Sequence, residues 1–284
     1  MSTPDISADE LIAKYRGENI PRVKLAFADL DGVHRGKYVS LDKFASIAGG
    51  TAGFCDCVLG WDVNDQLYDN AKFTGWHTAF PDAKYRIDLT TERRLPDEDN
   101  TPLFIVDFTG GDGGLHPICP RNQLRRILQK AEGMGHAARM AFEYEFFIFD
   151  ETPHTLREKN YRNLTPLSPG NFGYSIIRSS ALSDLFHEFM DFCDAMDSPL
   201  RASTAKPARA FGKRPSRWTM PCARRTRRRC SRHFRKHSLI SAVWSPRSWP
   251  SGRWITPAKV GMCTNRCWTP KERGNSMMQA PSTT

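Results

Sequence analysis

Two glutamates carry the clearest chemical signal in the 284-residue sequence. They are Glu143 and Glu145, in the run Ala-Phe-Glu-Tyr-Glu-Phe-Phe-Ile-Phe-Asp at 141–150. The aromatic content of the run reads as a β-strand, and on a strand side chains two apart share a face. Both carboxylates therefore stand side by side among aromatic residues. Two carboxylates so close repel, and burying them unpaired is costly. A hard divalent cation resolves both problems, because Mg²⁺ and Mn²⁺ take oxygen ligands. The alternative, from local sequence alone, is an edge strand with both acids in water.

The other chemistry-bearing residues give less. Asp29 and Asp31 read as hairpin residues, and Arg121 as a charge at a helix start. His77, His116 and His154 stand alone, with no partner at a useful spacing. Cys55 and Cys57 are two apart and Cys263 and Cys267 four apart. Neither pair has a second half at zinc-site spacing, so the cysteines read as free thiols of a reducing compartment.

Elements must position the two glutamates. Ser7-Ala-Asp-Glu10 predicts a capping box opening a short helix. Residues 23–29 and 36–40, joined through Asp31-Gly32, predict a hairpin, and 41–48 a helix. The Gly-, Asp-, Asn- and Pro-rich stretch 51–100 predicts a small β-rich module with long loops. Leu103–Asp107 reads as a buried strand. Pro120 fits the first turn of a helix running to about Met134. Ala137–Asp150 is the strand that carries the glutamates. Ser180 caps a further helix through about Met196, with Leu182, Leu185, Phe186, Phe189 and Cys193 at helical spacing. The Asn160-Tyr161-Arg162 stretch reads as a surface loop.

Charge divides the chain near residue 200. Beyond it lie 20 Lys and Arg against Glu272 alone, with five of the seven tryptophans and four of the eight cysteines. The preceding residues hold 21 basic and 30 acidic side chains. The tail keeps no apolar period of 2 or 3.6 and lacks the burial needed to offset ordering entropy. An Arg-rich arm for nucleic acid, built on Arg227-Arg228-Arg229, is one reading, and a solvated extension is another. A third explains why Trp and Cys rise together with Arg, Pro and Ser: a GC-rich gene read out of frame. New codons built from the last base of each codon and the first two of the next are partly forced by the genetic code. Trp218-Thr219 must give Asp, Met220-Pro221 Ala, Met262-Cys263 Val, Cys267-Trp268 Leu, and Trp268-Thr269 Asp. With allowed codons, Arg201–Pro221 becomes Glu-Gly-Leu-His-Arg-Glu-Thr-Gly-Pro-Gly-Val-Trp-Glu-Ala-Ala-Ile-Ala-Val-Asp-Asp-Ala. Gly261–Thr269 becomes Gly-His-Val-Tyr-Gln-Ser-Leu-Leu-Asp. Acids return and the arginines thin out.

Those hidden words resemble the glutamine synthetase family, whose members carry a Glu-x-x-Pro-Gly-x-Trp-Glu type segment followed by a His-x-His-x-Ser-Leu type segment. The in-frame residues agree. Phe27–Gly32 with Arg35-Gly36-Lys37 is similar to the opening hairpin of the family's β-grasp domain, and Phe80-Pro81-Asp82 to its Pro-Asp step. Cys119-Pro120-Arg121 resembles its Asp-Pro-Arg helix start, with Cys in place of Asp. Phe142–Phe146 resembles the Glu-x-Glu-Phe strand that opens its catalytic domain. The resemblance covers roughly residues 10–200 and looks closest to γ-glutamyl ligases acting on amines or polyamines.

It implies an α+β chain: a β-grasp-like domain over 1–112, the truncated start of a catalytic α/β domain over 113–200, and a disordered, out-of-frame basic tail over 201–284. It implies ATP and Mg²⁺ or Mn²⁺ as cofactors, with Glu143 on the nucleotide-linked metal and Glu145 on the metal nearer glutamate. The chemistry implied is phosphorylation of the γ-carboxylate of glutamate and attack of ammonia or an amine on the acyl phosphate. Asp56 would belong to a loop offered to a neighbouring subunit, or is a plain turn residue. Complete members form ring homo-oligomers. With the remaining ligands lost to the other frame, the chain is expected to be inactive. There is no apolar run long enough for a membrane span and no apolar signal segment, so a cytoplasmic location without membrane or nucleic-acid partners is expected.

Overall fold

A computed structural model describes residues 7–168, 170 and 173–198. It also describes the backbone of 204–206, 217–222 and 254–268; for 139–147 the description is likewise of the backbone. Helix α1 (Ala8–Gly17) opens with the expected capping box: Ser7 Oγ accepts from the Glu10 N–H at 3.2 Å, and the Ser7 N–H donates to Glu10 Oε2 at 2.9 Å. Strands β1 (Arg22–Ala28) and β2 (His34–Ser40) form the expected antiparallel hairpin, and Ser40 caps α2 (Leu41–Ile47). Strand β3 (Ala52–Cys55), the long β4 (Asp82–Leu95) and β5 (Thr101–Phe108) complete a five-stranded sheet of order β2-β1-β5-β4-β3.

The central strand explains the cohesion of this sheet. β5 is buried along its whole length, and its Leu-Phe-Ile-Val run is what a strand covered on both faces requires. It lies parallel to β1 and antiparallel to β4. On one face Leu11, Tyr15, Phe27, Phe44, Phe104 and Phe108 pack together under α1 and α2. Phe44 and Phe104 stack at 5.2 Å between ring centroids. The other face, with Ala26, Leu95, Leu103 and Ile105, is covered by Phe192 and Met196. Those two residues sit at the C-terminal end of α6 (Ser183–Ala195).

Helix α3 (Pro120–Gly133) leads into β6 (Ala137–Phe149), followed by α4 (Pro153–Glu158) and α5 (Ile176–Ala181). Two expectations are corrected here. Ser180 lies inside α5 and caps nothing downstream, because Ser175 already accepts the Arg178 N–H and starts a helix five residues earlier. The tail, expected to be without order, contributes β7 (Thr204–Lys206), β8 (Arg217–Cys222) and β9 (Trp254–Trp268) to a four-stranded sheet of order β7-β8-β6-β9. The physical reason is β6 itself. A long aromatic strand needs backbone partners along both edges, and the tail supplies them.

Candidate metal-binding site on the second sheet

Glu143 and Glu145 lie two apart on β6 and hence on one face of that strand. β6 is not an edge: it is antiparallel to β8 on one side and β9 on the other. Across from Glu143 stand Pro221 of β8 and Gly261 of β9; across from Glu145 stand Thr219 and Lys259. Opposed residues of a ladder share a face. Of both glutamates the structure describes the backbone alone. Among the described residues no cluster of three or more His, Cys, Asp or Glu could hold a metal.

Ahead of β6, charged residues lock α3 to the first sheet. Arg121 is not a simple helix-start charge. It is buried, with Nη1 donating to Asp107 of β5 at 2.9 Å and Nη2 to Asp88 of β4 at 3.0 Å. Arg125, one turn on, reaches Asp107 at 2.6 Å and Asp88 at 3.4 Å. Burial opposes the Arg125 charge, but the carboxylate of Asp107 outweighs it and raises the guanidinium further. Arg121 was legible as a charge; its partners, 14 and 33 residues away, were not. Cys119 takes the N-cap position and makes no side-chain cap.

The remaining candidates are structural. Asp29 is fully buried; it accepts the Val33 N–H at 2.7 Å and Arg35 Nε at 2.9 Å, while burial pushes its carboxyl up against those contacts. Asp31 accepts the Val63 N–H at 2.8 Å, tying the hairpin to the next loop. Both act as hairpin residues. Asp56 is buried and accepts Thr74 Oγ1 at 2.6 Å. His116 is also buried, edge-on to Phe73 at 4.9 Å and tilted against Phe108 at 5.7 Å. Burial lowers its pKa, and the nearby Asp56 charge only partly resists. His77 is exposed, with its ring Nε2 3.1 Å from the Lys72 carbonyl, and His154 is exposed.

Residues 117–211 match the family described as glutamine synthetase, catalytic domain. Type-1 glutamine synthetase 2 of Dictyostelium discoideum is 40% identical over 187 residues, which cover 66% of this chain and 36% of that protein. A glutamate–isopropylamine ligase of a Pseudomonas species is 33% identical over 172 residues, 60% of this chain and 37% of its own. Among solved structures, a complex of GmaS with ADP superimposes with a TM-score of 0.63 at 17% identity, over 92% of this chain and 56% of that one. Over the matched residues the chain is similar to the glutamine synthetase family. It spans about 36–37% of the length of these two curated relatives. Among the described residues no helix is long and apolar enough to cross a membrane.

Proposed function

We propose that the chain derives from a glutamine synthetase-type ligase that joins ammonia or an amine to the γ-carboxylate of glutamate through γ-glutamyl phosphate, with ATP as phosphoryl donor. We further propose that a one-base slip near residue 200 leaves the present chain inactive. The single observation that carries this is the pairing of β6. Its two glutamates have the spacing the family uses, and the strands on either side, β8 and β9, are drawn from residues read as out of frame.

The slipped reading supplies what is missing in the same places. The hidden Pro-Gly-x-Trp-Glu words fall between β7 and β8, and the hidden His-x-Tyr-x-Ser-Leu words fall within β9. In the register of the present residues, the hidden histidine position, Met262, stands opposite Phe142 and so off the glutamates' face. The corrected text would need to re-register by one residue, which moves every side chain of a strand to the other face. The first sheet supports a β-grasp reading of residues 1–112, with its β1–β2 hairpin and β1 parallel to the later β5. The domain limits at 112 and 200 and the cytoplasmic location belong to the same proposal, as does the assignment of Glu143 and Glu145 as metal ligands. An Arg-rich nucleic-acid arm gains no support from any relative and is set aside.

The test compares purified chains from the present gene and from one moved by one base after the codon for Pro199. The present chain is expected to give no ATP- and amine-dependent γ-glutamyl product. The corrected one is expected to turn over, and its Glu143→Gln and Glu145→Gln variants to lose activity by roughly 100-fold or more. Turnover by the present chain, or stop codons in the corrected gene, rejects the reading.

A further inference from the structure

We propose that Cys55 and Cys57 form a redox dithiol that closes to an intrachain disulfide under a disulfide-class oxidant, and that closing releases the loop held by Asp56. The proposal does not depend on the ligase reading.

Cys55 ends β3 in extended backbone, opposite Asp82 of β4, and Asp56 starts a single 3₁₀ turn, Asp56–Leu59. Helical backbone at the middle residue brings the flanking Cα atoms to about 5.4 Å. That lies inside the ~4.4–6.8 Å span a disulfide needs. The side chains interact as well, the Cys57 thiol being held by its neighbour Cys55. The Cys55 thiol in turn donates to the Phe80 carbonyl at 3.5 Å. Both thiols are free and partly exposed, whereas Cys119 and Cys193 are buried. A thiol oxidant therefore reaches this pair ahead of the other described cysteines.

The exchange balances with oxidised glutathione as co-reactant. The Cys55 thiolate attacks one glutathione sulfur and expels the first glutathione thiolate. Cys57 then loses its proton to water and attacks the Cys55 sulfur, expelling the second. Two protein thiols are oxidised and one glutathione disulfide is reduced. Burial and the Cys55 contact push the Cys57 thiol up to about 12, so ring closure is the slow step and accelerates about tenfold per pH unit through the neutral range.

The residue between the two sulfurs is Asp56, whose buried carboxylate anchors Thr74 across 18 residues. Tightening the Cys55–Cys57 segment turns that side chain away from Thr74. It also removes the Cys55 contact to Phe80 at the far end of the loop. The loop between carries Val63, Phe73 and Trp76, all exposed.

The experiment treats the full chain with oxidised glutathione, alkylates what remains free and maps tryptic peptides. Both cysteines fall in the peptide 44–72, which contains no other cysteine. The expected result is loss of two hydrogens from that peptide with no alkyl group added. Native trypsin cleavage at Lys72 should also accelerate several-fold, and both effects should reverse with dithiothreitol. Cys55→Ser should abolish both; Cys57→Ser or Cys57→Ala should leave a lasting glutathione adduct on Cys55. A lasting adduct on the unsubstituted chain, alkylation of both cysteines after oxidation, or a closed disulfide with unchanged cleavage at Lys72 overturns the proposal.

Discussion

At the scale of single residues, burial decides which charges and protons matter. Burial lowers the pKa of His116, which packs against Phe73 and Phe108, with Asp56 the nearby charge that favours protonation. Its folded pKa lies below the ordinary value of 6.5. The unfolded chain therefore binds the proton first as pH falls, and stability is lost from about 6.5 downward until the folded value is passed. Denaturation midpoints between pH 7.5 and 5.5 should drop for the native chain and stay flatter for His116→Phe. Glu151 behaves as a depressed carboxylate. Lys159, Thr155 and the Thr165 N–H hold it near about 2. Its contribution is present above the ordinary carboxylate range and disappears as pH falls through 4.5 toward 2. Lys159→Met should remove most of that acid-limb dependence in the same titration. Thr74→Val leaves the Asp56 carboxylate buried without its hydroxyl donor and should cost about 1–3 kcal/mol by chemical denaturation.

At the scale of elements, α3 is held by charge as much as by packing. Arg121→Ala leaves the buried Asp107 and half-buried Asp88 with Arg125, and the expected cost is about 3 kcal/mol. Arg121→Lys should recover only part of that, because a point charge does not reach both carboxylates in the geometry of a planar fork. Elements with local signals were legible in the sequence: the Ser7–Glu10 capping box, the Asp31-Gly32 hairpin, Pro120 at a helix start and the apolar run of β5. β4 was not, because its fourteen residues mix Asp, Lys, Arg and Glu with isolated apolar positions. Its strand character comes from pairing with β3 and β5, which no local pattern records. The start of α6 was misplaced because two helices meet at Leu182 with no gap to mark the break. Of the candidate site, the Glu143 and Glu145 pair was legible from period two. The flanking strands were not, since they come from residues without alternating pattern.

At the scale of the whole molecule, the two sheets differ in how their sequence accounts for them. The first draws on residues whose composition, capping and burial all agree, the consistency that marks a foldable sequence. The second places an aromatic acidic strand between strands rich in Trp, Cys and Arg. If those outer strands come from a slipped reading phase, they add little to stability. A chain ending after Met196 should then unfold with nearly the same denaturant midpoint as the full chain, while being more prone to aggregate through the bare edges of β6. A marked loss of midpoint would argue that residues 204–268 are a native part of the sheet.

The position of α6 has a consequence for synthesis. Every strand of the first sheet has been translated by Phe108, but one face of that sheet stays bare until Phe192 and Met196 follow. A nascent chain must therefore carry an oily flank through the translation of some eighty further codons. Stalling or cleavage in that interval would yield a sticky half-protein.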